Sequence, residues 1–368
     1  MEKTLINVIG LFCGMMVFHS VAYLDINILQ LVLVTLVQFL VFVVAHEFSH
    51  GFIAEKNKLN FSILYIGPFT FKRVKNKFKL QKGVSIQFTY LGRAQIDNNE
   101  ILNEDDYKKH VKGWIKAIQA GPLCDLILSI LTLIIALVFK SSILFLSTAI
   151  IVTGMCIPSY IMGDGKHVKL LKTDKIFTDT IIYTYSIIGN TPISKESKYY
   201  LIDRLINDLE NEHINKSNIL SLSLALQMVL QCYFNKDIDK LPSTIDAVVN
   251  KAIIHKNVML SKTLESNYYK GLINSSIIYE AIFKNDVDRA FKLYEEVKIL
   301  KHNLPGEKLD LYRSEHVLGI KDYEAELCSD KLMNPIFKGC QGAYEMDMNI
   351  SKMIVDFKNK EQILSEEK

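Results

Sequence analysis

Four long apolar stretches dominate the first half of the chain. Each is close to or above the ~18–20 residues that a helix needs to cross the hydrocarbon core of a bilayer, and they cover residues 5–24, 27–54, 121–139 and 141–160. After about residue 170, apolar positions recur with helical spacing among charged ones. The pattern predicts a mainly α protein: a polytopic membrane helix bundle of about four spans, followed by an all-α domain.

A different pattern separates the second and third apolar stretches. Residues 61–66 (FSILYI) and 84–91 (VSIQFTYL) are rich in β-branched and aromatic side chains and alternate partially. The segment between them is also strand-like and has a basic face. We therefore expect a small membrane-associated β-sheet over residues 60–95.

The second half of the chain predicts one helix after another. The segments with the clearest helical spacing are 198–211, 217–234, 243–256, 259–283 and 286–300. The last two are similar to one tetratricopeptide-type hairpin, with Gly271 and Ala290 at positions where helices pack closely. Such repeats usually need three or more units for stability, so an irregular helical domain is an equal alternative.

Composition and charge agree with a membrane protein. The 368 residues are 49% hydrophobic and have a net charge of +3. Lys and Arg outnumber Asp and Glu by about two to one between Glu55 and Lys116. The positive-inside rule then places this segment, the region after residue 165 and the N-terminus in the cytoplasm. A nucleic-acid-binding patch is less expected beside two spans, and we predict no nucleic-acid partner.

Two further features leave the general picture unchanged. The N-terminal apolar stretch is long enough to be a retained span; the alternative is a signal peptide over residues 1–22, because Ser20-Val-Ala22 forms a small-x-small cleavage site. The six cysteines contain no CxxC pair, which indicates reduced, structural thiols.

The chemistry centres on His46-Glu47-Phe48-Ser49-His50, which fits the pattern HExxH. On a helix, positions i and i+4 share a face, so both imidazoles can bind one Zn²⁺. Glu47 then lies beside the fourth coordination position, where it can accept a proton from water. The motif stands at the end of an apolar helix, where ionisable residues are costly and usually functional.

The third metal ligand is not part of this motif. Asp164, in Gly163-Asp164-Gly165, ends an apolar span at the same cytoplasmic depth as the histidines and is the preferred candidate. Its alternative is a turn residue before Gly165. An acidic group at 100–106 is a second source of a ligand, and His167 is expected to be a solvated histidine.

At this point the chain resembles the site-2 proteases, which are intramembrane zinc metalloproteases. The resemblance rests on HEFSHG at 46–51, AGPLCD at 120–125 and Asp164-Gly165, in that order. It implies that His46, His50 and Asp164 bind zinc and that Glu47 is catalytic. It also implies a domain division into an extra N-terminal helix (1–26), a protease core (27–166) and a helical cytoplasmic domain (167–368).

The chain departs from the family pattern near the third motif. Asp125 and Met155 stand where the family usually has asparagine, and the spacing from Pro158 to Asp164 is one residue longer than usual. By resemblance, Asp125 is assigned a substrate-positioning role and Pro158 a helix kink.

These observations predict a multi-pass cell-membrane enzyme that hydrolyses peptide bonds in or near transmembrane segments. Its expected partners are a membrane-embedded peptide or protein substrate, the lipid bilayer, and a cytoplasmic protein bound by the C-terminal domain. Strand addition to residues 84–91 would hold the unwound substrate. The alternatives are a catalytically silent zinc-site protein that binds a partner and, less favoured, a metal transporter.

Overall fold

The computed structural model describes Met15 and residues 27–75, 77–81, 92–138, 143–261, 263–333 and 340–366. Except for Met15, the predicted span 5–24 lies outside these residues, as does the predicted strand 84–91. The chain divides into two compact units, Met1–Asn99 with Asp105–Thr173, and Glu100–Glu104 with Asp174–Lys368.

The first unit contains three long apolar helices and one short polar helix. They are α1 (Ile28–Lys56), α2 (Glu104–Val138), α3 (Ile143–Pro158) and, after a π-helical turn (Ser159–Asp164), the short polar α4 (Gly165–Thr173). The α1 helix begins after Asn27, whose side chain accepts hydrogen bonds from the backbone N–H groups of Leu29 and Gln30. The α2 helix begins well before the apolar stretch, because the polar residues from Glu104 continue the same helix.

Two of the described helices are long and apolar enough to cross a membrane, α1 and residues 104–135 of α2. In the most apolar window of α1, only 11% of the residues are buried inside the protein. An apolar helix left exposed on most sides is typical of a lipid-facing segment. The four-span arrangement stays a prediction.

A small antiparallel sheet connects α1 to α2. Its described strands are β1 (Asn60–Ile66), β2 (Phe69–Val74), β3 (Lys77–Leu80) and β4 (Gly92–Asp97), in the order β3-β2-β1-β4. The strand predicted at 61–66 is confirmed, and the basic segment after it forms β2 and β3. Among the described strands β4 is therefore the outermost on one side, with Ala94 opposite Leu64 of β1.

The second unit is helical in all its described elements. They are α5 (Lys175–Ile187), α6 (Lys195–Asn211), α7 (Ile219–Phe234), α8 (Ile245–Ile254), α9 (Lys256–Met259), α10 (Thr263–Ile278) with a π-helical turn (Tyr279–Phe283), α11 (Val287–Lys298), α12 (Pro305–Val317), α13 (Glu324–Leu327) and α14 (Gln341–Glu366). The predicted helices are confirmed here. Gly271 of α10 faces Gln227 of α7, however, since a Cβ at Gly271 would lie 2.2 Å from the Gln227 side chain. The tetratricopeptide interpretation stays a prediction.

Candidate metal centre

The last turns of α1 carry His46, Glu47 and His50. Helical spacing puts the two histidines on one face, and their ring centroids lie 4.6 Å apart. His50 is 7% exposed, and the side chain of His46 is 13% exposed. Both imidazoles therefore lie inside the unit although α1 as a whole is apolar and exposed.

Asp164 reaches this pair from the end of the third helix. Its Oδ2 lies 3.1 Å from Nε2 of His46 and 3.4 Å from Nε2 of His50. Among the described residues, these three side chains form one group whose donor atoms all lie within 4.8 Å of one another. The structure thus brings the residue preferred from sequence to the two histidines.

The backbone before Asp164 explains how an additional residue is accommodated. Regular helix ends at Pro158, and Ser159–Asp164 form a π-helical turn with non-helical angles at Gly163 (φ −96°, ψ −107°). A π-helical turn takes up one more residue than an α-turn and often occurs at functional sites. The longer spacing from Pro158 to Asp164 is therefore compatible with a carboxylate aimed at the histidines.

The second nitrogen of each imidazole also has a partner. Nδ1 of His46 lies 2.8 Å from Oδ2 of Asp125, and Nδ1 of His50 lies 2.7 Å from the carbonyl oxygen of Ala117. Both partners are acceptors, so a neutral imidazole at either position donates through Nδ1–H and has its lone pair on Nε2. This is the tautomer in which Nε2 can bind a metal.

The donor set fits Zn²⁺. Two imidazole nitrogens and one carboxylate oxygen are the ligand set of many catalytic zinc sites, which leave a fourth position open for water or substrate. The second helix closes over this site at Gly121, where a Cβ would lie 2.4 Å from Nε2 of His50 and 2.6 Å from Nε2 of His46. Glycine at position 121 therefore leaves free the space that the Nε2 atoms of His46 and His50 occupy.

The strand β4 contacts Glu47 directly. The backbone N–H of Ala94 donates a hydrogen bond of 2.7 Å to Oε2 of Glu47. A Cβ at Gly92 would lie 2.6 Å from Cγ of Glu47 and 2.7 Å from Cγ1 of Val43, so only glycine permits this approach. Sequence reasoning missed both residues, because a backbone donor has no side-chain signature.

A cavity of about 670 Å³ lies beside the metal-binding group. Asp125 and Asp164 are among the residues that line it, and most of its wall is apolar. The apolar side chains come from both α2 and the end of the third helix, among them Ile118, Leu126, Ile157 and Ile161. A volume of this size accommodates a short segment of apolar peptide or a drug-sized ligand.

The sequence also singled out Pro158, Asp125 and His167, and the structure places each of them near the metal-binding group or on a neighbouring element. Pro158 is the last residue of α3, directly before the π-helical turn. Asp125 contacts His46 and does not belong to the three-residue donor group. His167 is exposed on α4 and also lies outside that group.

Comparison with known proteins gives one match. The model of peptidase family M50 matches residues 34–357, which include the metal-binding group and most of the second unit. The match extends well beyond the core on which the sequence resemblance rested. Searches of the curated proteins and of the solved structures found no match.

Proposed function

Because the chain belongs to peptidase family M50, the site-2 protease family of membrane metalloproteases, we propose that it hydrolyses peptide bonds in or next to the transmembrane segments of membrane-bound substrates. The observation that carries the proposal is the convergence of His46, His50 and Asp164 beside Glu47 at the end of an apolar helix. His46, His50 and Asp164 would hold the zinc ion.

A bound Zn²⁺ supplies Lewis acidity toward a substrate carbonyl and toward water. Glu47 acts as the general base, accepting a proton from the attacking water, and then as the acid that protonates the leaving amine. The N–H of Ala94 supports this role, because its hydrogen bond to Oε2 orients the Glu47 carboxylate. The same donor does not bind Oε1, the other carboxylate oxygen. The apolar surroundings limit access of bulk water to the reaction.

The substrate must be locally extended, because a helix hides its carbonyl groups in its own hydrogen bonds. Within the described sheet, β4 has β1 on one side, and its other side faces Glu47 through Ala94. A peptide segment running along this side would pass the catalytic carboxylate. We therefore extend the strand-addition proposal from residues 84–91 to β4, with the apolar cavity receiving substrate side chains.

The membrane arrangement belongs to the same proposal. Zinc-site residues lie at the end of α1 that leads into the basic segment 55–116, and the positive-inside rule assigns that end to the cytoplasm. We propose a multi-pass cell-membrane protein with both termini cytoplasmic and a second unit that binds a cytoplasmic partner. Cysteine accessibility labelling at the exposed Cys328 of intact and inverted membranes tests the orientation.

The decisive experiment replaces Glu47 with glutamine. Glu47→Gln removes the general base but keeps every proposed metal ligand, so we expect zinc to be retained and hydrolysis to fall by about 10²–10⁴-fold. Quantitative peptidomics of membranes expressing the wild type or the variant identifies the peptides that accumulate when cleavage stops. Equal peptide pools in the two membranes would overturn the protease proposal and favour a catalytically silent zinc protein.

A further inference from the structure

The two nitrogens of His46 face two different carboxylates. Nε2 lies 3.1 Å from Asp164, in the donor group, and Nδ1 lies 2.8 Å from Oδ2 of Asp125, on the opposite side of the ring. Asp125 is 7% exposed and comes from α2, whereas Asp164 follows the third helix. The ring of His46 is thus fixed between two helices, with one carboxylate at each nitrogen.

The neighbouring ligand is held differently. Nδ1 of His50 donates to the neutral carbonyl oxygen of Ala117 at 2.7 Å. A hydrogen bond to an ionised carboxylate is roughly twice as strong as one between neutral groups. A carboxylate behind a metal-binding histidine also raises the basicity of the ligand nitrogen. The two histidines are therefore unequal, and His46 is the one supported by a charge.

Asp125 interacts with His46 and also with the Cys156 thiol, and of these two groups only His46 belongs to the metal-binding group. Within the described part of the chain, Oδ1 of Asp125 has no hydrogen-bond partner, while Oδ2 is bonded to His46. Replacing Asp125 with asparagine would separate its hydrogen bond from its charge. An asparagine can accept the same hydrogen bond through its amide oxygen, but it provides no negative charge.

We propose that Asp125 is a positioning residue of the metal centre: its carboxylate fixes His46 in the tautomer and orientation that bind zinc and raises the affinity of the site. This inference rests on the proposed zinc function, and it replaces the substrate-positioning role that the resemblance suggested. Removal of such a partner typically lowers metal affinity about 10–100-fold. A residue that only positions substrate would change KM and leave metal affinity unaltered.

The test measures zinc affinity directly. The full chain is purified in detergent micelles, stripped of metal, and titrated with Zn²⁺ against a chromophoric chelator. For Asp125→Ala we expect a loss of about 10–100-fold, and for Asp125→Asn, which keeps the acceptor, a smaller loss of up to about tenfold. The matched control is Asp105→Asn, the same substitution at an exposed position of the same helix, which should bind zinc like the wild type.

Two further readouts separate positioning from a general structural role. The thermal unfolding of the metal-free variants reports whether the fold itself depends on Asp125, and the electronic spectrum of the Co²⁺-substituted proteins reports the coordination geometry of the site. We expect unfolding midpoints close to that of Asp105→Asn, and a Co²⁺ spectrum that changes in Asp125→Ala and is largely restored in Asp125→Asn. Partial rescue by asparagine is the signature of a retained hydrogen bond without its charge.

Three results would overturn the inference. They are wild-type zinc affinity in Asp125→Ala, an increase of KM alone, and equal losses in both variants accompanied by a lowered unfolding midpoint of the metal-free protein. Failure of the proposed function looks different: wild-type and Glu47→Gln membranes would then contain the same peptides while the dependence of zinc affinity on Asp125 persisted.

Discussion

Replacing Gly121 with alanine tests whether close packing of α2 on the two histidines creates the metal centre. The added Cβ would lie 2.4 Å from Nε2 of His50 and 2.6 Å from Nε2 of His46, whereas ordinary contact begins at 3.4 Å. The rings, or the helix, must therefore move by about 1 Å, and the overlap involves both proposed ligand atoms. A displacement of about 1 Å at a catalytic site can lower the rate by about 10²-fold, equivalent to about 2.7 kcal/mol in activation free energy.

Gly113→Ala is the matched control. It lies on the same helix, and its Cβ would approach its nearest neighbour, Cβ of Asn57, at 3.3 Å, which a small adjustment relieves. Both substitutions introduce a better helix former, so their effects on helix propensity are alike, at about 1 kcal/mol in favour of folding. A difference between the two variants then reports the contact with the histidines.

The assay combines zinc content of the purified full chain with cleavage of a membrane substrate identified by the Glu47→Gln peptidomics. We expect Gly121→Ala to lose most of its zinc and to cleave about 10²-fold more slowly, while Gly113→Ala retains both properties. If Gly121→Ala held a full complement of zinc and cleaved within about threefold of Gly113→Ala, the described packing of α2 on the ligands would be refuted.

Two other predictions follow from contacts outside the donor group. In Gly92→Ala the new Cβ would lie 2.6 Å from Cγ of Glu47, so we expect kcat to fall about tenfold or more with zinc content unchanged, and loss of zinc would contradict the role given to β4. In the second unit, burial acts to raise the pKa of Glu307, but the Lys270 ammonium at 2.6 Å and the N–H groups of Leu304 and Asn303 outweigh it and hold the pKa below 4.5. Because the folded pKa is lowered, the stability that Glu307 contributes is complete above pH 4.5 and is lost as the pH falls through the folded value. Glu307→Gln should therefore lower the free energy of unfolding by about 1–3 kcal/mol at neutral pH and flatten its decline in acid, measured by circular dichroism between about pH 3.5 and 7; an unchanged decline would show that other carboxylates dominate.

Local periodicity is what made much of this protein predictable from its sequence. The placement of His46, Glu47 and His50 follows from the helical repeat alone, because positions i and i+4 share a face in any α-helix. The apolar stretches 27–54, 121–139 and 141–160 and the β-branched run at 61–66 are likewise local patterns, and they correspond to α1, α2, α3 and β1. Asp164 could be proposed as the third metal ligand because it ends an apolar span. Its distance from the histidines could not be derived from such a local pattern.

Tertiary structure decided the rest, since it depends on which atoms of distant segments meet. The π-helical turn at Ser159–Asp164 sets the direction of the Asp164 carboxylate; the sequence shows the longer spacing from Pro158 but not the turn that accommodates it. The bond from Asp125 to His46 joins positions far apart in sequence, and the bond from Ala94 to Glu47 uses a backbone N–H that every non-proline residue possesses. The sequence by itself therefore determined which residue types can bind a metal ion and activate water. The packing of α2, β4 and the π-helical turn around α1 determined which atoms of those residues face one another.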